Sequence, residues 1–313
     1  MIINFQQVRD RIKDFPRQKI AVAAATDVAT LNAVTMARDE DIASSILVGN
    51  ENTIRKTAER ENLDLKEIEI QNVDDPVKAG LQAVELVSSG NAHIFMKGYI
   101  HSDDFLRCVI NRKVGLLNDN LLNHVFILEA THLNKLIFVT DGAMNIAPDL
   151  EKKARIISNT IALAQIFGIE IPKVAVISAV EVVTPKIESS LHAAALAKMT
   201  DRHQFHGGIV DGPFALDNAI NPVAAKVKKI GGEVAGNADI LLMPDIVSGN
   251  ALAKSFAHIN GGTTAGIIFG ASAPIVLPSR ADSKESKLSG IACAVFVAGA
   301  NADKRVKIGK VHF

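Results

Sequence analysis

Residues 135–178 contain the clearest strand–helix–strand pattern of the chain: KLIFVT at 135–140, DLEKKARIISNTIALAQIF at 149–167 and KVAVIS at 173–178. The middle segment repeats apolar residues every three or four positions, which predicts a helix with one buried face. Pro148 precedes this segment and Gly168 follows it, as is common at helix starts and ends. The two outer runs are apolar at successive positions, which is typical of strands covered by helices on both faces of a sheet.

The same alternation extends over the whole chain, and it predicts an α/β fold. Further strands are predicted at Lys19–Ala24, Ser45–Val48, Glu67–Val73, His93–Met96, Val125–Leu128, Asp239–Met243, Gly266–Phe269 and Ala273–Leu277. Further helices are predicted at Asp75–Ser88, Pro185–Lys198, Ala215–Lys229, Gly249–His258 and Asp282–Ala298.

The length of 313 residues suits two domains. The predicted division places residues 1–133 and 272–313 in one α/β domain and residues 134–271 in a second. Its first boundary is the short polar turn at Leu133–Asn134, between two apolar runs. The C-terminal strand and helix are expected to pack back on the N-terminal domain.

Composition excludes several classes of function. The 34 basic and 34 acidic side chains give zero net charge, there is no Trp, and Tyr99 is the one tyrosine, so nucleic-acid binding is not expected. Cys108 and Cys293 lie in apolar contexts and predict small core residues rather than a disulfide or a metal site. No signal peptide or membrane-spanning run is recognisable, so a cytoplasmic protein with no membrane partner is expected.

The stretch APIVLPSRADSKES, residues 273–286, ends a predicted strand with Ser279 and Arg280. In α/β proteins ligands bind beyond the carboxyl ends of strands, where a guanidinium can hold a phosphate through two parallel hydrogen bonds. Asp282 and Glu285 match a capping box for the next helix. The alternative is an ordinary helix cap followed by a solvated arginine.

A second stretch, DILLMPDIVSGNALAK at residues 239–254, ends an apolar strand at Asp245 and carries Asn250 and Lys254 in the following helix. Polar side chains of three types after one buried strand predict part of a binding cleft. The alternative is a helix capped by Ser248 with a lysine at the surface.

Three more predicted strand ends are polar. Lys97 and Gly98 follow one strand, with Arg107 on the next helix, while Asp141 and Asp211 each follow another. Gly98 would allow the backbone to approach a ligand closely, and Lys97 would supply charge. Each site alone is typical of a turn, but five such strand ends favour a cleft.

Familiar cofactor and metal motifs are absent from the sequence. There is no G-x-G-x-x-G after a strand, no Walker A loop, no H-E-x-x-H and no G-x-S-x-G. His203 and His206 could share a metal, but their polar surroundings favour solvated loop residues. No metal and no bound cofactor are therefore predicted.

Taken in order, the segments DGPFALD at 211–217, MPD at 243–245 with Asn250 and Lys254, and residues 274–280 resemble the phosphate acetyl/butyryltransferase family. The resemblance covers nearly the whole chain. It implies a two-domain fold like that of the isocitrate/isopropylmalate dehydrogenases, with the active site in the interdomain cleft.

The resemblance also implies residue roles. The catalytic Ser-Arg pair of the acetyl branch matches Ser279 and Arg280, and its substrate-binding arginine matches Arg107. Where the acetyl branch has an aspartate, proposed as the base for the coenzyme A thiol, this chain has Ser286, which is the third catalytic candidate. Because of this departure the chain is more similar to the butyryl branch.

The reaction implied by the resemblance converts acyl-CoA and inorganic phosphate into acyl phosphate and CoA by direct transfer in a ternary complex. Butyryl-CoA is the expected substrate, coenzyme A is substrate or product rather than cofactor, and a homo-oligomer is expected. The alternatives are a phosphate acetyltransferase, an oxidoreductase on the same dehydrogenase-like fold, and a catalytically inactive module that binds acyl-CoA or acyl phosphate.

Overall fold

The computed structural model describes residues 1–279, 281–302, 309 and 311. The helices are α1 (Phe5–Ile12), α2 (Val28–Asp39), α3 (Glu51–Arg60), α4 (Pro76–Ser88), α5 (Ser102–Val109), α6 (Leu150–Ile166), α7 (Glu188–Asp201), α8 (Leu216–Ile220), α9 (Pro222–Val227), α10 (Ile246–His258) and α11 (Lys284–Ala302). The strands are β1 (Gln18–Ala23), β2 (Ala43–Gly49), β3 (Glu69–Asn72), β4 (Ile94–Lys97), β5 (Asn123–Ala130), β6 (Lys135–Thr140), β7 (Lys173–Ile177), β8 (Ile209–Phe214), β9 (Ile240–Leu242), β10 (Thr264–Phe269) and β11 (Ile275–Val276).

Contacts divide the described chain into two compact units. The middle unit contains Met1–Asn4 and Leu121–Thr264, together with residues 309 and 311. The outer unit contains Phe5–Asn120 and residues 265–302.

These limits differ from the domain boundaries expected at 133/134 and 271/272. The turn at Leu133–Asn134 joins β5 and β6, which pair antiparallel from Val125↔Thr140 to Ala130↔Lys135 and so lie in one unit. Strands β10 and β11 likewise pair antiparallel. Strand pairing across a turn cannot be recognised from the turn's polarity alone.

The outer unit orders its strands β3-β2-β1-β4-β11-β10. All neighbours are parallel except β10 and β11. Ile46, Ala21, Phe95 and Ile275 stand in one register row across four strands and are all buried. Burial on both faces explains the continuous apolar runs of the sequence.

The middle unit orders its strands β5-β6-β9-β7-β8, and all neighbours except β5 and β6 are parallel. Val139, Leu241 and Ala175 form a buried row across β6, β9 and β7. The α/β class predicted from the sequence is confirmed. In each unit the parallel strands bring their C-terminal ends to one side of the sheet, which we term the carboxyl edge.

Helix α6 closely matches the helix predicted at Asp149–Phe167. The carboxylate of Asp149 accepts a hydrogen bond from the Lys152 backbone N–H at 2.8 Å and caps the first turn. Gly168 has φ +83°, a left-handed conformation that glycine adopts without strain and that ends the helix.

The single helix predicted at Ala215–Lys229 is wrong, because two short helices occupy this segment. Asn221 lies between α8 and α9 in an extended conformation, with φ −119° and ψ 111°. The proline ring disfavours the helical region for the residue before it, and Pro222 follows Asn221 here. The Asn221 side chain then caps α9.

None of the helices in the described part of the chain combines the length and apolar character that a membrane span requires.

Both cysteines are buried, as the sequence predicts. Cys108 on α5 packs against Gly80 on α4 so closely that a Cβ added to Gly80 would lie 2.8 Å from the Cys108 Sγ. Burial, assisted by the nearby charge of Asp104, raises the pKa of the Cys108 thiol to about 11.

This pKa predicts an unreactive thiol in the native protein. In a Cys293→Ala variant, Cys108 is the remaining thiol, and its alkylation by iodoacetamide at pH 8 should be at least ~100-fold slower than after unfolding in urea, because only thiolate reacts and an unfolded thiol has pKa near 8.5. Equal rates in the native and unfolded states would contradict the burial of this thiol.

Candidate active site

The carboxyl edge of the outer unit brings two of the predicted segments together. Strands β4 and β11 are parallel neighbours, with Phe95 opposite Ile275 and Met96 opposite Val276. Lys97 is therefore the last residue of one strand, and Ser279 follows the other by three residues. The sequence placed both after strands but could not show that these strands are adjacent.

Hydrogen bonds of its backbone N–H and carbonyl groups hold Ser279 in place. Its N–H donates to Oδ2 of Asp282 at 2.7 Å, and its carbonyl oxygen accepts from the Asp282 N–H at 3.3 Å. The hydroxyl oxygen accepts one long hydrogen bond, from the Ala281 N–H at 3.4 Å. Among the described contacts the hydroxyl of the half-buried Ser279 donates no hydrogen bond, so its proton is available for donation there. Arg280, its predicted partner, lies outside the described residues.

The predicted capping box of Asp282 and Glu285 is wrong. Ser283 caps α11 by accepting a hydrogen bond from the Ser286 N–H at 3.1 Å. Glu285 instead pairs with Arg9 of α1 at 2.9 Å. The Asp282 carboxylate instead accepts the hydrogen bond from the Ser279 N–H and so orients Ser279. The sequence pattern around Asp282 is that of a helix cap and does not indicate this contact. Ser286 itself is buried in the first turn of α11.

Lys97 is only 4% exposed, and its Nζ donates to the Gly98 carbonyl oxygen at 3.3 Å. A Cβ at Gly98 would lie 2.6 Å from the carbonyl oxygens of Ala23 and Ala24, so the glycine is required by its approach to the end of β1. The close approach predicted for a ligand is in fact to this backbone. Arg107 extends from α5 into solvent, and its guanidinium contacts Asp104 at 3.1 Å.

In the middle unit, Asp141 begins the turn after β6 and is 2% exposed. Its Oδ1 accepts from the N–H groups of Ala143 and Met144 at 2.8 and 2.9 Å. Its Oδ2 accepts from the His124 N–H at 3.1 Å and from Asn145 Nδ2 at 2.6 Å. Four hydrogen bonds from the chain itself occupy this carboxylate, which organises the turn.

The N-terminus of α10 packs on that turn. Asp245 caps the helix by accepting from the Ser248 N–H at 2.8 Å, so the cap is Asp245 and not Ser248. Asn250 Nδ2 donates to the Gly142 carbonyl oxygen at 3.0 Å. A Cβ at Gly249 would lie 2.4 Å from the Asp141 carbonyl oxygen, which explains the glycine.

Lys254 lies farther along α10 and is exposed to solvent. Within the described residues its ammonium makes no hydrogen bond or ion pair, so this cation is available to an anionic ligand. Arg107 in the outer unit is similarly exposed but has a carboxylate neighbour.

Asp211 does not lie in a turn. Strand β8 continues through Phe214, and Asp211 pairs with Ala175 of β7, about 10 Å before the strand end at ~3.3 Å per residue. Asp211 Oδ1 accepts from the Gly212 N–H at 2.8 Å. The residue lines a cavity of about 540 Å³ together with Lys198, Thr200 and Gly232.

Two buried lysines were missed by the sequence analysis. Lys153 on α6 is 4% exposed, and its Nζ lies 3.0 Å from Nδ1 of His192 on α7. Burial lowers the pKa of both groups, while the charge of Glu188 and, more weakly, that of Asp245 act in the opposite direction on the pKa of Lys153. Lys287 on α11 is the second. The sequence signal that could have indicated these two buried lysines is a lysine among the regularly spaced apolar residues of a helix.

The described residues thus present a hydroxyl donor on the outer unit and an amide and a solvent-exposed ammonium on the middle unit. In the outer unit, the Ser279 hydroxyl suits a carbonyl oxygen that gains negative charge. In the middle unit, the Lys254 ammonium suits an anionic ligand. In the described part of the chain, no group of three or more His, Cys, Asp or Glu side chains is arranged to hold a metal ion.

Asp211 yields a prediction about stability. Burial, with repulsion from Asp201, raises the pKa of its carboxyl, so the ionised form that prevails at pH 7 destabilises the native state. Asp211→Asn should therefore raise the melting temperature at pH 7, and the gain should vanish as the pH falls through the raised pKa toward the ordinary value near 4.

The matched control is Asp217→Asn. Lys228 donates to the Asp217 carboxylate and lowers its pKa, so the loss of this charge should lower the melting temperature at pH 7. A lower melting temperature for Asp211→Asn than for the wild type at pH 7 would contradict the assignment.

Comparison with known proteins extends these observations. The chain is 44% identical over 298 residues to the phosphate butyryltransferase of Clostridium beijerinckii, covering 95% of this chain and 99% of that protein. It is similar to the crystal structure of a branched-chain phosphotransacylase from Enterococcus faecalis V583, with TM-score 0.79 and 31% identity, covering 90% of this chain and 99% of that one.

A structure of a putative 4-hydroxythreonine-4-phosphate dehydrogenase from Salmonella typhimurium matches with TM-score 0.56 at 11% identity, covering 90% of this chain and 99% of that one. At this identity the likeness concerns the fold alone, and it confirms the dehydrogenase-like architecture. The model of the family described as "Phosphate acetyl/butaryl transferase" matches residues 4–80 and 73–295. The chain belongs to this family.

Proposed function

We propose that this protein is a phosphate acyltransferase that converts butyryl-CoA and inorganic phosphate into butyryl phosphate and CoA, reversibly. The observation that carries the proposal is the family match over residues 4–295, which includes β11 and Ser279 three residues after it. The 44% identical butyryltransferase favours butyryl over acetyl as the acyl group.

The chemical step is the attack of a phosphate oxygen on the thioester carbonyl carbon. A C–O bond forms, the C–S bond breaks, and CoA leaves as a thiolate that takes up the proton released by phosphate. The carbonyl oxygen becomes negative in the tetrahedral intermediate, so a positioned donor at that atom accelerates the reaction.

Ser279 is the proposed donor to this oxygen, because its backbone is held at both peptide groups while its hydroxyl proton is unused in the described contacts. Arg280 is the proposed bidentate partner of phosphate, a role that rests on sequence. Lys254 and Arg107 are the exposed cations proposed to bind anionic parts of the substrates. Lys97 and Gly98 are also proposed substrate-binding residues, and Lys97 is more deeply buried than Lys254 and Arg107.

Asp141, Asp245 and Asn250 are the proposed substrate-binding residues of the middle unit. The contacts of Asp141 with its own turn, and of Asn250 with Gly142, support a positioning role. Asp211 is kept as a proposed substrate-binding group of the cavity that it lines. Ser286, which stands where a carboxylate base is implied in the acetyl branch, is kept as a proposed catalytic residue.

Direct transfer in a ternary complex is proposed over an acyl-enzyme. The raised pKa and burial of Cys108, together with the burial of Cys293, support this choice, because a nucleophilic cysteine needs an accessible thiolate. Coenzyme A then acts as substrate or product rather than as a resident cofactor. A homo-oligomeric state is proposed as well.

The function is tested by release of free thiol from acyl-CoA in the presence of phosphate. Butyryl-CoA should give a higher kcat/KM than acetyl-, propionyl- or valeryl-CoA, with differences of about 10–200-fold per methylene because one methylene contributes about 1–3 kcal/mol in an apolar pocket. With labelled butyryl-CoA and no phosphate, no label should remain on the denatured protein.

Other outcomes separate the alternatives. A preference for acetyl-CoA would identify a phosphate acetyltransferase. NAD(P) reduction without thiol release would identify an oxidoreductase, and binding of acyl-CoA without turnover would identify a binding module. Label retained on the protein would overturn direct transfer.

The role of Ser279 is tested by Ser279→Ala. The loss of one donor to the developing oxyanion should lower kcat by about 10²–10³-fold, equivalent to about 2.7–4 kcal/mol. The control is Ser272→Ala, which removes an exposed hydroxyl near the same strand and should leave kcat unchanged. Wild-type kcat in Ser279→Ala would refute the proposed donor.

A further inference from the structure

Lys287 lies in the first turn of α11 and is 2% exposed. Its Nζ donates to the Ser279 carbonyl oxygen at 2.8 Å and to the Asp282 carbonyl oxygen at 2.9 Å. A charged ammonium is seldom buried unless its hydrogen bonds are satisfied, because removal from water destabilises the charge. Here the compensating partners belong to the loop that carries Ser279.

Ser279 and Asp282, at the two ends of this loop, are connected by three sets of hydrogen bonds. Asp282 accepts from the Ser279 N–H through its carboxylate and donates through its own N–H to the Ser279 carbonyl oxygen, and Lys287 connects both carbonyl oxygens. The peptide groups before and after the Ser279 Cα are therefore both anchored. This constrains the direction in which the Cα–Cβ bond, and hence the hydroxyl, extends.

Charge in the surroundings favours the ammonium form. Burial lowers the pKa of Lys287, and the charges of Asp282 and of Asp27, the cap of α2, act in the opposite direction. Asp282 therefore acts on Ser279 in two ways. It accepts a hydrogen bond from the Ser279 N–H, and its charge stabilises the Lys287 ammonium that binds the Ser279 carbonyl oxygen.

We propose, on the basis of the function proposed above, that Lys287 is a positioning residue for acyl transfer, whose ammonium holds the Ser279 loop so that the hydroxyl meets the substrate carbonyl oxygen. Lys287 acts through Ser279 and does not itself contact the reacting atoms. A displacement of about 1 Å in a catalytic group can reduce turnover by on the order of 10²-fold. Loss of the ammonium should therefore lower kcat more than it raises KM.

The experiment compares Lys287→Met and Lys287→Arg with Lys284→Met. Methionine keeps the apolar stem without the charge, arginine keeps a cation with several donors, and Lys284 is an exposed lysine on the same helix. We expect kcat to fall about 10–100-fold in Lys287→Met with both KM values within about threefold of wild type. Lys287→Arg should recover part of the loss, and Lys284→Met should match wild type.

A double-mutant cycle with Ser279→Ala shows whether Lys287 acts through Ser279. If it does, Lys287→Met should reduce kcat by less than about twofold when Ser279 is already alanine, because coupled residues are not additive. The amount of folded protein in every sample is measured by circular dichroism, and kcat is calculated per folded molecule. If Lys287→Met does not fold, the same cycle is completed with Lys287→Arg.

Two results would overturn the positioning role: unchanged kcat in the Lys287 variants, or losses that multiply with that of Ser279→Ala. Both leave the proposed function intact, provided that Ser279→Ala itself loses turnover. Conversely, full activity in Ser279→Ala would disprove the proposed role of Ser279 itself, whatever the Lys287 variants show.

Discussion

Parallel strand pairing is the constraint from which the remaining structure follows. A parallel strand must be covered on both faces, so β1, β2, β4 and β11 in the outer unit are mostly apolar and buried. The same pairing directs the strand ends to one edge, where the chain has to turn and can carry polar side chains. The register of Met96 opposite Val276 thereby places the Lys97 and Ser279 segments on adjacent strands of one sheet.

Much of this architecture could be predicted from sequence, because the signals are local. The strand at Lys135–Thr140 has the predicted bounds, and α6 begins and ends within one residue of the prediction. Apolar periodicity, proline and glycine act over a few residues and need no knowledge of distant contacts. The segment at Ala215–Lys229 is different, since the Asn221–Pro222 step interrupts a periodicity that continues through it.

The site was less predictable because its contacts join distant or unexpected residues. Asp211 looks like a turn residue, yet β7 extends the pairing of β8 beyond it. Asp282 resembles a cap but orients Ser279, and Ser283 does the capping. The ammonium of Lys153 lies within hydrogen-bond distance of His192, which is 39 residues away on another helix, so the burial of Lys153 follows from the packing of these two helices. Local patterns locate polar residues, whereas tertiary packing decides which of them are used.

The burial of the two cysteines has a consequence for an enzyme that handles a free thiol product. An oxidant that removes two electrons and two protons from coenzyme A and an accessible protein thiol would join them in a mixed disulfide, which would block further turnover. Cys108, packed against the bare Cα of Gly80, leaves no room for the pantetheine arm to approach its sulfur. The fold thereby protects the protein from its own product.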